Sequence, residues 1–133
     1  MKKIVSYAAC LLIITSVAAA PDSKLLKSFN ETFPNARNIK WNDDKAGYFV
    51  SFMQDGNFEK VLYSKSGEFV CSWKYSDGKN LPTNILMDLK KKYDDYKMIG
   101  VTEYASQSNT QYEVKISKND KLYSAKFNSN LQS

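Results

Sequence analysis

Apolar side chains recur at helical spacing in two short stretches of the chain. They are Leu25, Leu26, Phe29 and Phe33 in residues 24–33, and Ile85, Leu86, Leu89 and Tyr93 in residues 81–93. This spacing places the apolar side chains along one side of a helix. Asp22 or Ser23 can cap the first helix, and Pro82 suits the first turn of the second. The pattern therefore predicts two short amphipathic helices.

The residues after each helix alternate between apolar and polar side chains, which is typical of strands with one buried face. Asp55-Gly56 favours a two-residue hairpin turn, because both central residues of that turn need positive φ. Asn119-Asp120 suits the same kind of turn, and Lys65-Ser66-Gly67 suits a three-residue turn. The predicted strands are residues 37–42, 46–54, 57–65 and 68–75 after the first helix, and 97–104, 111–118 and 121–128 after the second.

The hairpin turns also predict which residues lie opposite each other, because a turn sets the register of its strands. The expected pairs are Phe52–Glu59, Val50–Val61 and Tyr48–Tyr63 around the first turn, and Ile116–Tyr123, Val114–Ala125 and Tyr112–Phe127 around the second. The next strand adds Phe69 opposite Tyr63 and Cys71 opposite Val61. The face expected to pack under the first helix therefore carries Tyr48, Val50, Phe52, Val61, Tyr63, Phe69, Cys71 and Trp73.

A helix followed by a meander of strands occurs twice. The matched residues, which we expect to form the core of each unit, are Phe29, Phe33 and Ile39 with Leu89, Tyr93 and Ile99, and Tyr48, Val50 and Phe52 with Tyr112, Val114 and Ile116. Matches of this kind indicate a repeated supersecondary unit of the α+β class. We expect one compact domain of two tandem helix-plus-antiparallel-meander repeats, with the helices packed on an antiparallel sheet. The first repeat takes about residues 22–75, a polar linker residues 76–80, and the second repeat about residues 81–133.

The N-terminus has the three parts of a secretory signal peptide. Lys2 and Lys3 precede an apolar run over residues 4–14, and small residues follow it. Cleavage at these small residues gives a signal peptide of residues 1–19 and an exported chain of residues 20–133. The apolar run is shorter than the ~20 residues of a membrane span. We therefore expect a periplasmic or secreted protein without a transmembrane anchor in the exported chain.

Charge and composition narrow the chemistry that is available. The 133-residue sequence has a formal net charge of +5 and no histidine, and removal of Lys2 and Lys3 lowers the charge to +3. Histidine is the commonest metal ligand and a common general base, and Cys71 has no neighbouring base in the predicted strands. No catalytic residue, metal site or cofactor is predicted. The basic residues are scattered lysines with Arg37 as the one arginine, which disfavours a nucleic-acid partner.

The chain resembles a known group at several of these positions, namely the beta-lactamase-inhibitor-like, PepSY-like proteins exported by Bacteroidetes-type bacteria. The matching segments are the signal peptide, Phe33-Pro34-Asn35-Ala36 before Ile39-Lys40-Trp41, Gly47-Tyr48-Phe49-Val50, Ser64-Lys65-Ser66-Gly67, and Leu81-Pro82 before a helix ending in Lys91-Lys92-Tyr93. Asp94, in place of a proline, and Asn130, in place of a turn glycine, depart from the pattern. The resemblance implies a two-repeat α+β domain, related in shape to a secreted inhibitor of beta-lactamases, and it implies no catalytic residues.

The outer face of the first meander is more apolar than a solvated surface. It carries Phe49, Met53, Phe58, Leu62 and Val70 beside Ser51, Lys60 and Ser72, whereas the matching face of the second carries Glu113, Lys115, Ser117, Leu122, Ser124 and Lys126. A cluster of exposed apolar side chains on an exported protein indicates a contact surface. The first five residues are therefore the predicted partner-binding site. The alternative, that another segment of the chain covers this face, stays open.

Two kinds of function fit these features. The first is a non-enzymatic binding module, inhibitor-like in shape, that docks on a periplasmic or surface protein or on a second copy of the chain. The second is a small-ligand carrier with a pocket between helix and sheet, which large aromatic side chains in the expected core disfavour. Trp41, Trp73 and Tyr75 could form a stacking platform for a sugar or a peptide, although a place in the core is the simpler interpretation.

Overall fold

The computed structural model of the protein describes residues 21–128. The helices are α1 (Ser23–Thr32) and α2 (Thr83–Lys92), and the strands are β1 (Arg37–Asp44), β2 (Gly47–Gln54), β3 (Asn57–Tyr63), β4 (Phe69–Ser76), β5 (Lys97–Ser106), β6 (Thr110–Lys118) and β7 (Lys121–Asn128). Every predicted helix and strand is present, with bounds shifted by at most two residues. The predicted signal peptide and Asn130 lie outside the described residues.

The two helices begin in different ways. Asp22 caps α1, because its Oδ1 atom accepts a hydrogen bond from the Leu25 backbone N–H at 2.9 Å. Pro82 precedes α2, and no side chain caps that helix. Proline suits a helix start because its missing N–H would have no partner within the helix. Neither α1 nor α2, the helices of residues 21–128, has the length and apolar character to cross a bilayer.

The seven strands form one antiparallel sheet in sequential order from β1 to β7. Val50 and Val61 of the first half form a cluster with α1, and Val101 and Val114 of the second half form a cluster with α2. Both helices pack on the same face, because the strand pairing continues from Val61 through β4 to Val101 on one side of the sheet. The predicted α+β class, with helices on an antiparallel sheet, is confirmed.

Aromatic side chains fill the space between α1 and the sheet. Phe29 is 1% exposed and lies with its ring centroid 5.2 Å from that of Phe52 and 5.3 Å from that of Trp41. Leu25, Val50, Val61 and Tyr63 complete this cluster. Under α2, the buried centre is aliphatic and consists of Leu81, Ile85, Leu89, Val101, Val114, Ile116 and Ala125. Partly buried aromatic side chains, among them Tyr93, Tyr112 and Phe127, pack around it.

A polar row separates the two apolar clusters on the helix side of the sheet. Glu59, Lys74 and Glu103 lie directly opposite one another on β3, β4 and β5. Glu59 is 9% exposed, and its burial raises the pKa of the carboxyl group, while the positive charge of Lys74 acts in the opposite direction. The two halves therefore do not share one continuous apolar core.

Both predicted two-residue turns set the register as expected. Asp55, Gly56, Asn119 and Asp120 all have positive φ, as the predicted turns require. All six predicted pairs around these turns are present. Phe69 lies opposite Tyr63, and Gly67 supplies the left-handed residue of the β3–β4 turn, both as predicted.

A bulge at the start of β4 makes two of the predictions wrong. Cys71 lies opposite Leu62 and not opposite Val61, because Val70 is an extra residue between the pairs Tyr63–Phe69 and Leu62–Cys71. One extra residue moves all later side chains of a strand to the other face. Trp73 therefore lies on the face away from the helices. Cys71 is buried, as predicted, but outside both helix-covered clusters.

Two further bulges move isoleucines out of the expected core. The register shifts between Arg37 and Lys40 in β1, and again between Met98 and Gly100 in β5. Ile39 and Ile99 lie within these shifts and are 41% and 53% exposed. The expectation that they belong to the core pattern is therefore wrong.

Candidate functional site

The face of the sheet away from the helices, here the open face, has no covering element among residues 21–128. It is defined by Phe49, Met53, Phe58, Leu62, Trp73, Tyr75 and Tyr104 on β2 to β5, and by Gln111, Glu113, Lys115, Ser124 and Lys126 on β6 and β7. All other described elements are the two helices on the opposite face and the connecting turns. In this part of the chain, no segment covers the predicted apolar surface.

The structure brings four of the five predicted binding residues together. Phe49 lies directly opposite Leu62, and Met53 directly opposite Phe58, on neighbouring strands. Phe58 is 41% exposed, and the other three are half-buried. Val70 is the extra residue of the β4 bulge, 40% exposed, at one end of the open face.

Aromatic rings extend this surface across the middle of the sheet. The ring centroid of Trp73 is 6.4 Å from that of Phe49 and 5.6 Å from that of Tyr104. A second pair, Phe58 and Tyr75, has its centroids 5.8 Å apart. Such rings combine a large apolar contact area with few rotatable bonds, and therefore suit a binding surface.

Sequence reasoning missed Trp73, Tyr75 and Tyr104 as members of this face. Strict alternation along β4 assigned Trp73 to the core, and the register shift that reverses it has no signal in the pattern. The suggested stacking platform of Trp41, Trp73 and Tyr75 does not form. Trp41 packs against Phe29 on the helix side, whereas the other two belong to the open face.

Cys71 lies beneath the aromatic side chains of the open face. It pairs with Leu62 on one side and Ser106 on the other, and it is 5% exposed. The nearby Cys71 thiol raises the pKa of the Tyr104 hydroxyl. The buried thiol therefore lies next to the Tyr104 side chain on the open face.

Apart from the exposed Leu122, the second half of the open face is polar, and its centre carries a hydrogen-bond network. Glu113 accepts hydrogen bonds from Lys115 Nζ at 3.0 Å and from the Ser124 hydroxyl at 2.9 Å. The hydrogen bond from Lys115, followed by that from Ser124, lowers the pKa of the Glu113 carboxyl group. This network gives the second half a fixed arrangement of charges.

A cleft lies where the aromatic and polar halves meet. Its volume is about 370 Å³, and its lining includes Trp73, Thr102, Tyr104, Gln111, Glu113 and Lys126. Binding sites of this kind combine apolar walls with a few polar groups that orient the bound molecule. The open face thus offers aromatic and aliphatic side chains, a cleft and a network of charged side chains. Residues 21–128 contain no group of three or more acidic or cysteine side chains that could hold a metal ion.

At the level of sequence, neither a family model nor a curated protein matches the chain. Solved structures do match it. A BLIP-like protein from Bacteroides fragilis superimposes with a TM-score of 0.63 at 19% identity, over 81% of this chain and 79% of that protein. A protein from Bacteroides eggerthii that is proposed to be periplasmic gives 0.63 at 18% identity, over 81% of each chain. A DUF2874 family protein from Bacteroides uniformis gives 0.62 at 15% identity, over 81% and 82%.

The class that these structures define is a BLIP-like α+β fold, with helices on one face of an antiparallel sheet. The predicted resemblance to beta-lactamase-inhibitor-like proteins of Bacteroidetes-type bacteria is confirmed as a likeness of fold. At these identities the likeness does not extend to a shared partner or activity.

Proposed function

We propose that this protein is an exported, non-enzymatic module that binds another protein through the open face of its sheet. The observation that carries the proposal is the aromatic row formed by Phe49, Trp73 and Tyr104, with Phe58 and Tyr75 on the same face, which no other helix or strand of residues 21–128 covers. Aromatic side chains are enriched at the centres of protein interfaces, where they contribute most of the binding energy.

The compartment and the domain plan belong to the same proposal. The signal-peptide pattern of residues 1–19 and the likeness to a protein proposed to be periplasmic support export to the periplasm or beyond. We also retain the two-repeat, PepSY-like organisation, with the first repeat over about residues 22–75 and the second over about residues 81–133. The name BLIP-like belongs to the Bacteroides fragilis protein, and we assign no partner to this chain from that name.

The competing function, a small-ligand carrier, has less support. A carrier of this kind needs a pocket between helix and sheet. Phe29, Phe52 and Val50 fill that space under α1, each at most 1% exposed. The cleft of about 370 Å³ lies on the open face instead, lined by Trp73 and Tyr104. Phe58 and Tyr75 lie outside this cleft and are more than 40% exposed. The contact surface is therefore broader than a pocket for one small ligand.

The test is photocrosslinking in the native cell envelope. A photoreactive phenylalanine analogue replaces Phe58 in one variant and Met87 in the other. Met87 is 66% exposed on α2, on the opposite side of the molecule. We expect one protein to be crosslinked from position 58 and not from position 87. Equal yields from both positions, or no product from position 58, would contradict the proposal.

A second variant connects the captured protein to the surface. Phe58→Asp places a charge in the apolar patch and should weaken binding of the purified captured protein by at least tenfold. Met87→Asp makes the same chemical change on the helix side and should leave the affinity unchanged. Circular dichroism melts of both variants control for loss of structure.

A further inference from the structure

The basic side chains of this protein are unevenly distributed between its surfaces. The strand register places Arg37, Lys40, Lys60, Lys97, Lys115 and Lys126 at open-face positions, against only Asp44 and Glu113 among the acidic residues. The remaining eleven basic and twelve acidic side chains of residues 21–128 nearly cancel. The excess positive charge of the exported chain therefore lies on the open face.

The two acidic groups of the open face are already engaged. The Asp44 carboxylate accepts a hydrogen bond from the Ala46 backbone N–H at 2.7 Å in the β1–β2 turn. Glu113 is bound by Lys115 and Ser124. Among residues 21–128, no carboxylate lies within ion-pair distance of Lys60 or Lys126.

The two lysines lie on opposite sides of the aromatic cleft. Lys60 pairs directly with Trp73, and its ammonium group lies 5.6 Å from the centre of the Phe49 ring. Lys126 lies directly opposite Glu113 in the strand register, at the far wall of the cleft, and its positive charge helps to lower the pKa of the Glu113 carboxyl group. They are four strands apart in the sheet, which at about 4.8 Å per strand places them roughly 20 Å from each other.

We propose that the open face recognises an acidic protein segment that carries an aromatic residue between two carboxylates. The aromatic side chain enters the cleft beside Trp73 and Tyr104, and the carboxylates reach Lys60 and Lys126. An extended chain covers roughly 20 Å in about six residues, which sets the spacing of the two acidic positions. This inference rests on the proposed function and specifies the chemistry of its partner.

Charge complementarity is what favours an acidic peptide over a neutral sugar. Aromatic side chains beside an amide such as that of Gln111 would also suit a saccharide. A neutral saccharide, however, has no charged group to pair with Lys60 and Lys126. A segment with two carboxylates forms an ion pair with each of them. Pairs of this kind steer association and fix the register of a bound chain.

The test uses a phage-displayed library of random 12-residue peptides, selected on the exported chain. We expect the selected peptides to carry an aromatic residue flanked by Asp or Glu at a separation of about six residues. Binding of a synthetic selected peptide, followed by fluorescence anisotropy, should weaken as salt is raised, because salt screens exposed ion pairs.

A pair of charge-reversal variants makes the test specific. The double variant Lys60→Glu, Lys126→Glu should bind the selected peptide at least about tenfold more weakly. The control combines Lys90→Glu with Lys91→Glu, which are exposed on α2 and give the same change in net charge. The control should change the affinity by less than about twofold, since long-range effects of exposed charges are screened.

Several outcomes would overturn the inference. Selected peptides without acidic residues would overturn the inference, and so would an equal loss of peptide affinity in both double variants. In either case the proposed function still stands if the peptides compete with crosslinking from position 58. A third outcome is that no peptide is selected but a neutral oligosaccharide binds on a glycan array. If Trp73→Ala abolishes that binding, the cleft is a sugar site and the inference is wrong. Failure of both selection and crosslinking would remove the proposed function as well.

Discussion

At the scale of single residues, Glu59 is unusual because its carboxylate is buried, in the polar row between the two apolar clusters. Glu59 is 9% exposed, lies opposite Phe52 and Lys74, and has a pKa raised mainly by its burial. A raised pKa in the folded state means that the folded protein holds this proton more tightly than the unfolded chain does. The resulting stability is fully present below the unfolded pKa and is lost as the pH rises through the folded pKa.

Glu59→Gln should therefore stabilise the protein at neutral pH. The neutral amide keeps the shape and hydrogen-bonding capacity of the side chain without the cost of burying a charge, and Lys74 retains Glu103 as a neighbour. We expect a gain on the order of 1 kcal/mol at pH 7 that diminishes towards pH 4, measured by urea unfolding. Glu68→Gln, at an exposed turn position, is the control. A loss of stability at pH 7 in Glu59→Gln would show that the carboxylate is net stabilising.

The same scale shows how much of the candidate site the sequence could reveal. Phe49, Met53, Phe58 and Leu62 were predictable as neighbours, because Asp55-Gly56 requires positive φ at both residues and thereby fixes the register. Trp73 was not predictable. Val70, the extra residue of the bulge, is β-branched and fits a regular strand as well as a bulge.

At the scale of secondary-structure elements, the two helices differ in how they begin. The Asp22 side chain caps α1, and α2 has no side-chain cap. Asp22→Ala should cost about 1 kcal/mol of stability, because the Leu25 N–H loses its acceptor. Asp22→Asn should retain most of it, since asparagine also accepts this bond. Chemical unfolding of both variants checks the expectation, and equal losses would contradict it.

Element boundaries were predictable to within two residues, whereas the bulges were not. Turn residues mark the ends of strands by their backbone conformations, so Gly67 and Asn119-Asp120 were informative. Nothing in the residue types around Ile39 and Ile99 indicates a bulge in the same way. Each lies in an apolar alternating segment, and only the pairing with the neighbouring strand shows the register shift that exposes it.

At the scale of the whole molecule, the two faces of the sheet differ in composition. One face is used for folding, since both helices and both apolar clusters lie on it. The other face carries exposed aromatic side chains and most of the unbalanced positive charge. BLIP-like structures from Bacteroides share this architecture, and the residues on the open face give this chain its own surface chemistry.

In the proposed function, the partner binds at the aromatic centre of the open face. The most direct measurement is the dissociation constant of the crosslinked partner for two variants, Trp73→Ala and Met87→Ala, each shown by circular dichroism to be folded. Truncation of a central aromatic residue typically costs at least about 2 kcal/mol, or roughly 30-fold in affinity. We expect a loss of that size for Trp73→Ala and none for Met87→Ala. Unchanged affinity in folded Trp73→Ala would contradict the account.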